Sequence, residues 1–236
     1  MGLQGAIIAA GRGERLRRTA GDLPKPLVEL AGEALLVRQT RAMLRAGAQS
    51  VVAVINSETA RRAAGIAMPP ELRLIVRDTE SSMESLFAVG EQLAPGRFLL
   101  ATVDSVMPQA ELARFTRDAL AASRPAPDAD FDGVLGVVRW RGDKRALFAD
   151  VTKGGLITAL GDRQTPLVTA GVYLLPTSIF EFAARARERR LAAMRLFLAM
   201  LVDEGIRLGV LEVRGAIDID EASDLEAAVK ELGDRR

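Results

Sequence analysis

The chain contains neither cysteine nor histidine. Without cysteine it forms no disulfide and no thiolate metal site, which is compatible with a reducing cytosol, so a cytoplasmic location is expected. Without histidine it has no Ser-His triad, no imidazole zinc site and no imidazole acid–base catalyst. An excess of one charge is also missing: 32 Lys plus Arg face 31 Asp plus Glu, for a net charge of +1. That balance argues against a protein that coats nucleic acid or binds membranes through a polybasic surface, and any phosphate affinity has to be local. No basic stretch precedes the short N-terminal apolar run, and no signal peptide or membrane span is expected. Apolar residues are plentiful, at 49% of 236, enough for a sizeable core in one large α/β domain or two small ones.

The chain is organised around Gly5 to Leu16 and the following Leu23-Pro24-Lys25-Pro26-Leu27. Ala6 to Ala10 reads as a buried strand bounded by glycines. A loop with Gly11, Arg12, Gly13 and Arg15 follows, and its glycines let the backbone approach a ligand closely. Successive N–H groups and arginines in such a loop suit a polyphosphate. Lys25, between two prolines, is a cation on a stiffened segment. The dinucleotide fingerprint fails because Leu16 stands where its third glycine belongs, and no Gly-Lys-Ser/Thr of a P-loop occurs.

Apolar runs then alternate with helical patterns, which predicts a mostly parallel sheet covered by helices. Helices are expected at Leu35 to Arg45, stopped by Gly47, at Glu58 to Ile66, and from Ser81, where Ser81 and Glu84 fit a capping box. Strands are expected at Val51 to Ile55, Leu72 to Val76 and Phe98 to Val103. Asp104 ends the last of these and reads equally as a Mg²⁺ ligand or as a cap on the turn into a Pro108 to Ala122 helix. Ser123 to Asp130 reads as a loop, Gly133 to Trp140 as a strand, and Arg139 to Lys144 as a solvated hairpin. Shorter strands at Phe148 to Val151 and Leu156 to Leu160 interrupt the alternation before a core strand at Val168 to Leu175. Ser178 to Asp203 reads as one long or two consecutive helices, with Arg185 to Arg190 on a solvated face. A strand at Leu208 to Val213 and a helix from Glu221 to Leu232 close the pattern, with Asp220 and Asp224 as helix N-terminal acids.

Gly11-Arg12-Gly13-Glu14-Arg15-Leu16, followed by Pro24-Lys25-Pro26-Leu27, resembles the signature of the sugar-phosphate nucleotidyltransferase-like superfamily. The resemblance implies a three-layer α/β/α Rossmann-like (GT-A-type) fold with a mostly parallel mixed sheet. It implies one domain over 1–236, with a nucleotide-binding half at about 1–122 and an acceptor-side half at about 123–236. The activity implied is Mg²⁺-dependent transfer of a nucleoside monophosphate from an NTP to a phosphorylated acceptor. Carried over by position, Arg15 and Lys25 are catalytic, and Ala9, Ala10, Gly11, Gly13 and Ser82 bind nucleotide. Asp104 and Asp218, the latter in Ala216-Ile217-Asp218-Ile219-Asp220, hold Mg²⁺. Gly171 lies beside the acceptor's sugar, although a bulge or a tight packing contact explains it as well.

Two departures stand out. Val103 replaces the usual glycine before Asp104, and the family's Glu-Lys-Pro is missing from Gly161 to Pro166, where Arg163 could supply the lost charge to the acceptor. The partners implied are an NTP and a small phosphorylated acceptor, without nucleic acid or membrane, in a monomer or homodimer. Ser82-Met83-Glu84-Ser85-Leu86 resembles the small cytidylyltransferase branch, which takes phosphocholine or alcohol phosphates. Lys25-Pro26 disfavours a cofactor guanylyltransferase, Val103-Asp104-Ser105-Val106 lacks the Asp-x-Asp of glycosyltransferases, and intact Arg15, Lys25, Asp104 and Asp218 count against a silent nucleotide-binding regulator.

Overall fold

The computed structural model describes residues 2–123, 130–142 and 146–233. The first part runs β1 (Gln4–Ala9), α1 (Glu14–Ala20), β2 (Glu29–Leu30), β3 (Glu33–Ala34), α2 (Leu35–Arg45), β4 (Ser50–Ile55), α3 (Ser57–Arg62), β5 (Leu72–Val76), α4 (Ser82–Gly90), β6 (Arg97–Thr102), β7 (Ser105–Val106) and α5 (Gln109–Ala122). The second runs β8 (Gly133–Arg139), β9 (Phe148–Val151), β10 (Ile157–Gly161), β11 (Leu167–Pro176), α6 (Ala183–Glu188), α7 (Met194–Asp203), β12 (Leu208–Glu212), β13 (Ile217–Asp218) and α8 (Ala222–Gly233).

β1 lies inside a nine-stranded sheet, parallel to β4 on one side and β6 on the other, with β5 parallel to β4. Its alternate side chains serve two cores, Ile7 and Ala9 on one face and Ala6 and Ile8 on the other, all buried. Apolar residues on both faces are what a parallel strand covered by helices requires. Leu35, Leu36 and Met43 of α2 and Leu112 and Phe115 of α5 fill the first core. Leu86 and Phe87 of α4 and Phe197 and Leu198 of α7 fill the second, where the Phe87 and Phe197 rings meet edge to face at 5.1 Å. The result is the expected three-layer α/β/α arrangement with a mixed sheet. Beyond β6 the sheet changes direction: β11 is antiparallel to β6 and β8, and β12 runs parallel to β8. The β9–β10 hairpin joins near the start of β11, through Val168 and Phe148.

Several boundaries differ from the sequence reading for identifiable reasons. α3 stops at Arg62, short of Ile66. The stretch from Ser178 to Asp203 is a 3-10 segment, α6 and α7, because Arg190 turns left-handed (φ 53) and ends α6. The Leu191 N–H bonds to the Ala186 carbonyl and the Arg190 N–H to the Arg187 carbonyl. That is the hydrogen-bond pattern of a glycine C-cap, here made by arginine. Three arginines of this run, Arg185, Arg187 and Arg189, are paired rather than merely solvated. Arg187 binds Glu84 with both arms at 2.9 and 2.8 Å and lies 5.0 Å over the Phe87 ring, while Arg185 and Arg189 both reach Glu204. The β2–β3 hairpin and α1 were not foreseen. Of the expected loop between Ser123 and Asp130, residues 124–129 lie outside the described residues, as do 143 and 144 of the Arg139 to Lys144 cluster.

Gly171 sits in a bulge, where the register of β11 against β8 shifts between Thr169 and Tyr173. Its φ is +67, and a Cβ there would run into the Ser105 side chain. Both the left-handed backbone and the lack of space demand glycine. Gly171→Ala is expected to lose about 2 kcal/mol or more, from backbone strain and overpacking together. Urea unfolding checks this, and an unchanged midpoint refutes it.

Candidate functional site

Lys25 opens a 3-10 turn, Lys25–Leu27, directly after Pro24. Its side chain is only 11% exposed, and its ammonium donates to Asp104 Oδ2 at 2.7 Å and to Asp220 Oδ1 at 2.9 Å. Gly13 lies against it: with φ +63 and its Cβ position 2.8 Å from the Lys25 Cβ, only glycine lets the loop pack there. α1 starts immediately afterwards and carries Arg15, whose guanidinium is 2.9 Å from the other oxygen of Asp220. Burial alone would lower the Lys25 pKa, but Asp104 and Asp220 more than offset it and hold the ammonium charged. Partial burial pushes Asp220 up, and Lys25 and Arg15 outweigh that, keeping its carboxyl below the usual range. Asp220 is therefore part of the cluster, and its reading as a helix-terminal acid is corrected. Asp224 does fill that role, accepting the N–H groups of Asp220 and Glu221 at 2.9 and 2.7 Å.

Asp218 is delivered by a two-residue ladder. β13 pairs antiparallel with β7, setting Asp218 opposite Ser105, and the Ile219 N–H bonds to the Asp104 carbonyl at 3.0 Å. The Ser105 hydroxyl donates to Asp218, and the Thr102 hydroxyl donates to Ser105 at 3.0 Å. Buried Gln39 holds this corner from α2, donating to the carbonyls of Thr102 and Ser105. The Asp218 carboxylate opens to the cleft but is crowded by protein behind. Desolvation and the facing Asp104 charge push it up to about 6, against the help of the Ser105 hydroxyl. Two facing carboxylates are hard oxygen donors of the kind Mg²⁺ uses with water and phosphate oxygens. No group of three or more acidic or other ligating side chains suited to a metal occurs among the described residues. A cation here would therefore take its remaining ligands from solvent or substrate. Asp104 does not cap the following turn; it faces Lys25 and Asp218.

Two hollows meet at this cluster. The first, about 1200 Å³, lies between the Ala9–Gly13 segment, the turn into α3 and the start of α4. Ala9, Ala10, Gly11, Gly13 and Ser82 all line it, as does Lys25, and a Cβ at Gly11 would meet nothing within 4 Å. Ser81 caps α4, accepting the Glu84 N–H at 3.2 Å, while Glu84 turns to Arg187, so the capping box is half made. The Ser82 hydroxyl accepts the Met194 N–H at 2.9 Å and ties this wall to α7. Asn56 was missed from the sequence. Its amide donates to the Ala10 carbonyl at 3.1 Å while its oxygen accepts the Thr59 N–H at 2.8 Å and caps α3, so it fixes the backbone beside the first hollow. An asparagine directly after a buried strand was the available signal.

The second hollow, about 850 Å³, shares Arg15, Thr102, Asp104 and Asp220 with the first and also contains Ser105, Gly171 and Asp218. Arg163 is not brought here. Its side chain is 84% exposed, pairs with Asp150 at 3.3 Å and lines neither hollow. Arg139 and Arg141, read as a solvated hairpin, do line the second hollow, together with Arg195 and Arg214.

The model of the MobA-like NTP transferase domain matches residues 5–195. Mannose-1-phosphate guanyltransferase of Gibberella zeae is 39% identical over 54 residues, 23% of this chain, and the match spans only 15% of that relative's length. A putative glucose-1-phosphate thymidylyltransferase from Bacillus anthracis superposes with a TM-score of 0.81 at 12% identity, over 99% of this chain and 96% of that one. The inositol-1-phosphate CTP transferase from T. maritima does so with a TM-score of 0.74 at 20% identity, over 97% and 96%. At such identities the two structures speak for the fold alone. The family match takes in the glycine loop, Lys25, Asp104 and Gly171, and with it the chain belongs to the MobA-like NTP transferase family.

Proposed function

We propose that the protein transfers a nucleoside monophosphate from an NTP to a phosphorylated small-molecule acceptor and releases pyrophosphate. The observation that carries this reading is the shared wall: two hollows meet at Arg15, Thr102, Asp104 and Asp220, with Lys25 at the same point. One hollow is walled mainly by residues 8–104 and takes the NTP, and the other, walled mainly by residues 138–231, takes the acceptor.

In the reaction, an acceptor phosphate oxygen attacks the α-phosphorus. The new P–O bond forms as the bond to the bridging oxygen of the β-phosphate breaks, and pyrophosphate leaves with the electron pair. The nucleophile is already an anion and needs no general base, which suits a chain without histidine. The main barrier is bringing two anions together, so positioned cations supply most of the rate. Lys25 serves the α-phosphate and the incoming acceptor, and Arg15 serves the β- and γ-phosphates. Asp220 holds both cations at the junction until substrate oxygens take over as their partners. Asp104 and Asp218 would hold Mg²⁺, which when bound neutralises phosphate charge and polarises the reacting phosphorus.

Lys25→Ala, Asp104→Asn and Asp218→Asn are each expected to lower turnover ~10²-fold or more with the fold intact, as losses of charge-stabilising groups. Mg²⁺-dependent pyrophosphate release, run with each common NTP against sugar 1-phosphates and alcohol phosphates, checks this, and full activity in all three variants overturns the assignment. Asp218→Asn should also separate activity from stability. The Asp218 carboxyl is pushed up to about 6, so at pH 7.5 it is ionised at a cost to the folded state that a neutral amide avoids. In metal-free buffer at that pH the variant should melt at a higher temperature than wild type while being nearly inactive. A lower Tm by calorimetry contradicts this account.

A further inference from the structure

We infer that Gln39, buried beneath the site in α2, is a positioning residue that sets the spacing of Asp104 and Asp218 and thereby their hold on a divalent cation. The inference rests on reading these two carboxylates as the cation site. Gln39 is 4% exposed, and the other buried residues of α2 include Leu35, Leu36, Ala42 and Met43. An apolar side chain would suit such a face better, because burying an amide is costly unless its hydrogen bonds are made. Thr40, also buried on this helix, is satisfied locally, donating to the Leu36 carbonyl one turn back at 2.8 Å. Gln39 instead turns its amide nitrogen away from the helix, to carbonyls 63 and 66 positions further along the chain.

Those carbonyls belong to Thr102 and Ser105, the residues on either side of Val103-Asp104. Thr102 ends β6 and Ser105 begins β7, so the amide closes the turn that carries Asp104. The Asp104 carbonyl between them is taken by the Ile219 N–H. Both bracketing residues also lead to Asp218, since the Thr102 hydroxyl donates to Ser105 and the Ser105 hydroxyl donates to Asp218. One buried side chain thus fixes the backbone under Asp104 and the two hydroxyls behind Asp218. Gln39 lines neither hollow, so it acts on the reaction only through these residues. Two carboxylates give a cation few protein ligands, and their separation then decides how well both can reach it. A methionine at position 39 would keep the length of the side chain and remove its donors. The two carbonyls would then be free to reorient, and the carboxylates with them.

The test is Mn²⁺ binding to the full chain without nucleotide, read from the free-ion signal in electron paramagnetic resonance, with pyrophosphate release measured alongside. Mn²⁺ takes the same hard oxygen donors as Mg²⁺. Gln39→Met is compared with wild type, with Asp218→Asn as the variant lacking a ligand, and with Thr40→Val. The last removes a buried hydroxyl of α2 that has no bond to the turn. Gln39→Met is expected to bind Mn²⁺ about 10-fold more weakly and to lose about 10-fold in kcat, as removing a support behind metal ligands does. Thr40→Val should match wild type in both. Gln39→Asn, one methylene too short to reach both carbonyls, should follow Gln39→Met and serves where that variant does not fold. No Mn²⁺ binding by wild type, binding that Asp218→Asn does not weaken, unaltered affinity in the Gln39 variants or an equal loss in Thr40→Val overturns the inference. Failure of both Gln39 variants to fold, beside a folded Thr40→Val, overturns it too, since the residue would then serve the core alone. The expected pattern of Mn²⁺ binding without pyrophosphate release from any NTP and acceptor would fault the transfer reading and leave the role of Gln39 standing.

Discussion

The site depends on one ammonium group held between two carboxylates. Lys25 is nearly out of water, and a lysine so placed keeps its charge only if anions come with it. Asp104 and Asp220 meet that need, and in turn the ammonium offsets the repulsion among these two carboxylates and Asp218. In the proposed reaction each partner is exchanged: phosphate oxygens would replace the carboxylates at Lys25, and a divalent cation would replace the lysine at Asp104. Among the described residues the Asp218 side chain hydrogen-bonds to the Ser105 hydroxyl alone, and its raised pKa shows that this bond and the nearby Lys25 charge do not offset its burial and the Asp104 charge. A buried pair of this sort is poor evidence of stabilisation and better evidence of a poised site.

The sheet explains why two hollows adjoin there. Parallel strands β1, β4 and β6 all end on the same side, which brings the Ala10 backbone and Asp104 to one edge. β11 then runs back against β6, and its bulge at Gly171 makes room for Ser105, so the second hollow opens directly beside the first. The Ser82–Met194 hydrogen bond and the Glu84–Arg187 pair link the helix beside the nucleotide hollow to the α6–α7 segment, which carries Arg195 into the other.

Much of this was legible in the chain because local chemistry and global position agreed. The apolar run at Ala6 to Ala10, the glycine loop and Ser81 as a cap all gave local signals that the fold honours. α2 likewise ends as read, with the Gly47 N–H on the Leu44 carbonyl and the Ala48 N–H on the Met43 carbonyl. Features without a local signal were missed. The β2–β3 turn uses Ala31 and Gly32, both with positive φ, where asparagine would have announced it. The break after α6 rests on Arg190 in a conformation its side chain does not favour. Asp220 looked like a helix-terminal acid because its lysine partner is 195 positions away, and the arginines of the second hollow gather only in three dimensions. Arg163 was assigned by its place in the chain, and its hairpin points it at Asp150 instead.

The sequence separations in the cluster have a kinetic side. Lys25 meets Asp104 across 79 positions and Asp220 across 195, so the second of these contacts closes one of the longest loops among the described residues. Contacts of that kind form late, after shorter-range pairings have reduced the entropy of closure. During synthesis β1, β4 and β6 can pair long before β13 and Asp220 emerge, which leaves Lys25 with a single carboxylate in a half-made core. The nucleotide side of the protein would then gain its final shape only when the C-terminal strand docks. A substrate that bridges the same charges could accelerate that last step by acting as a template for it.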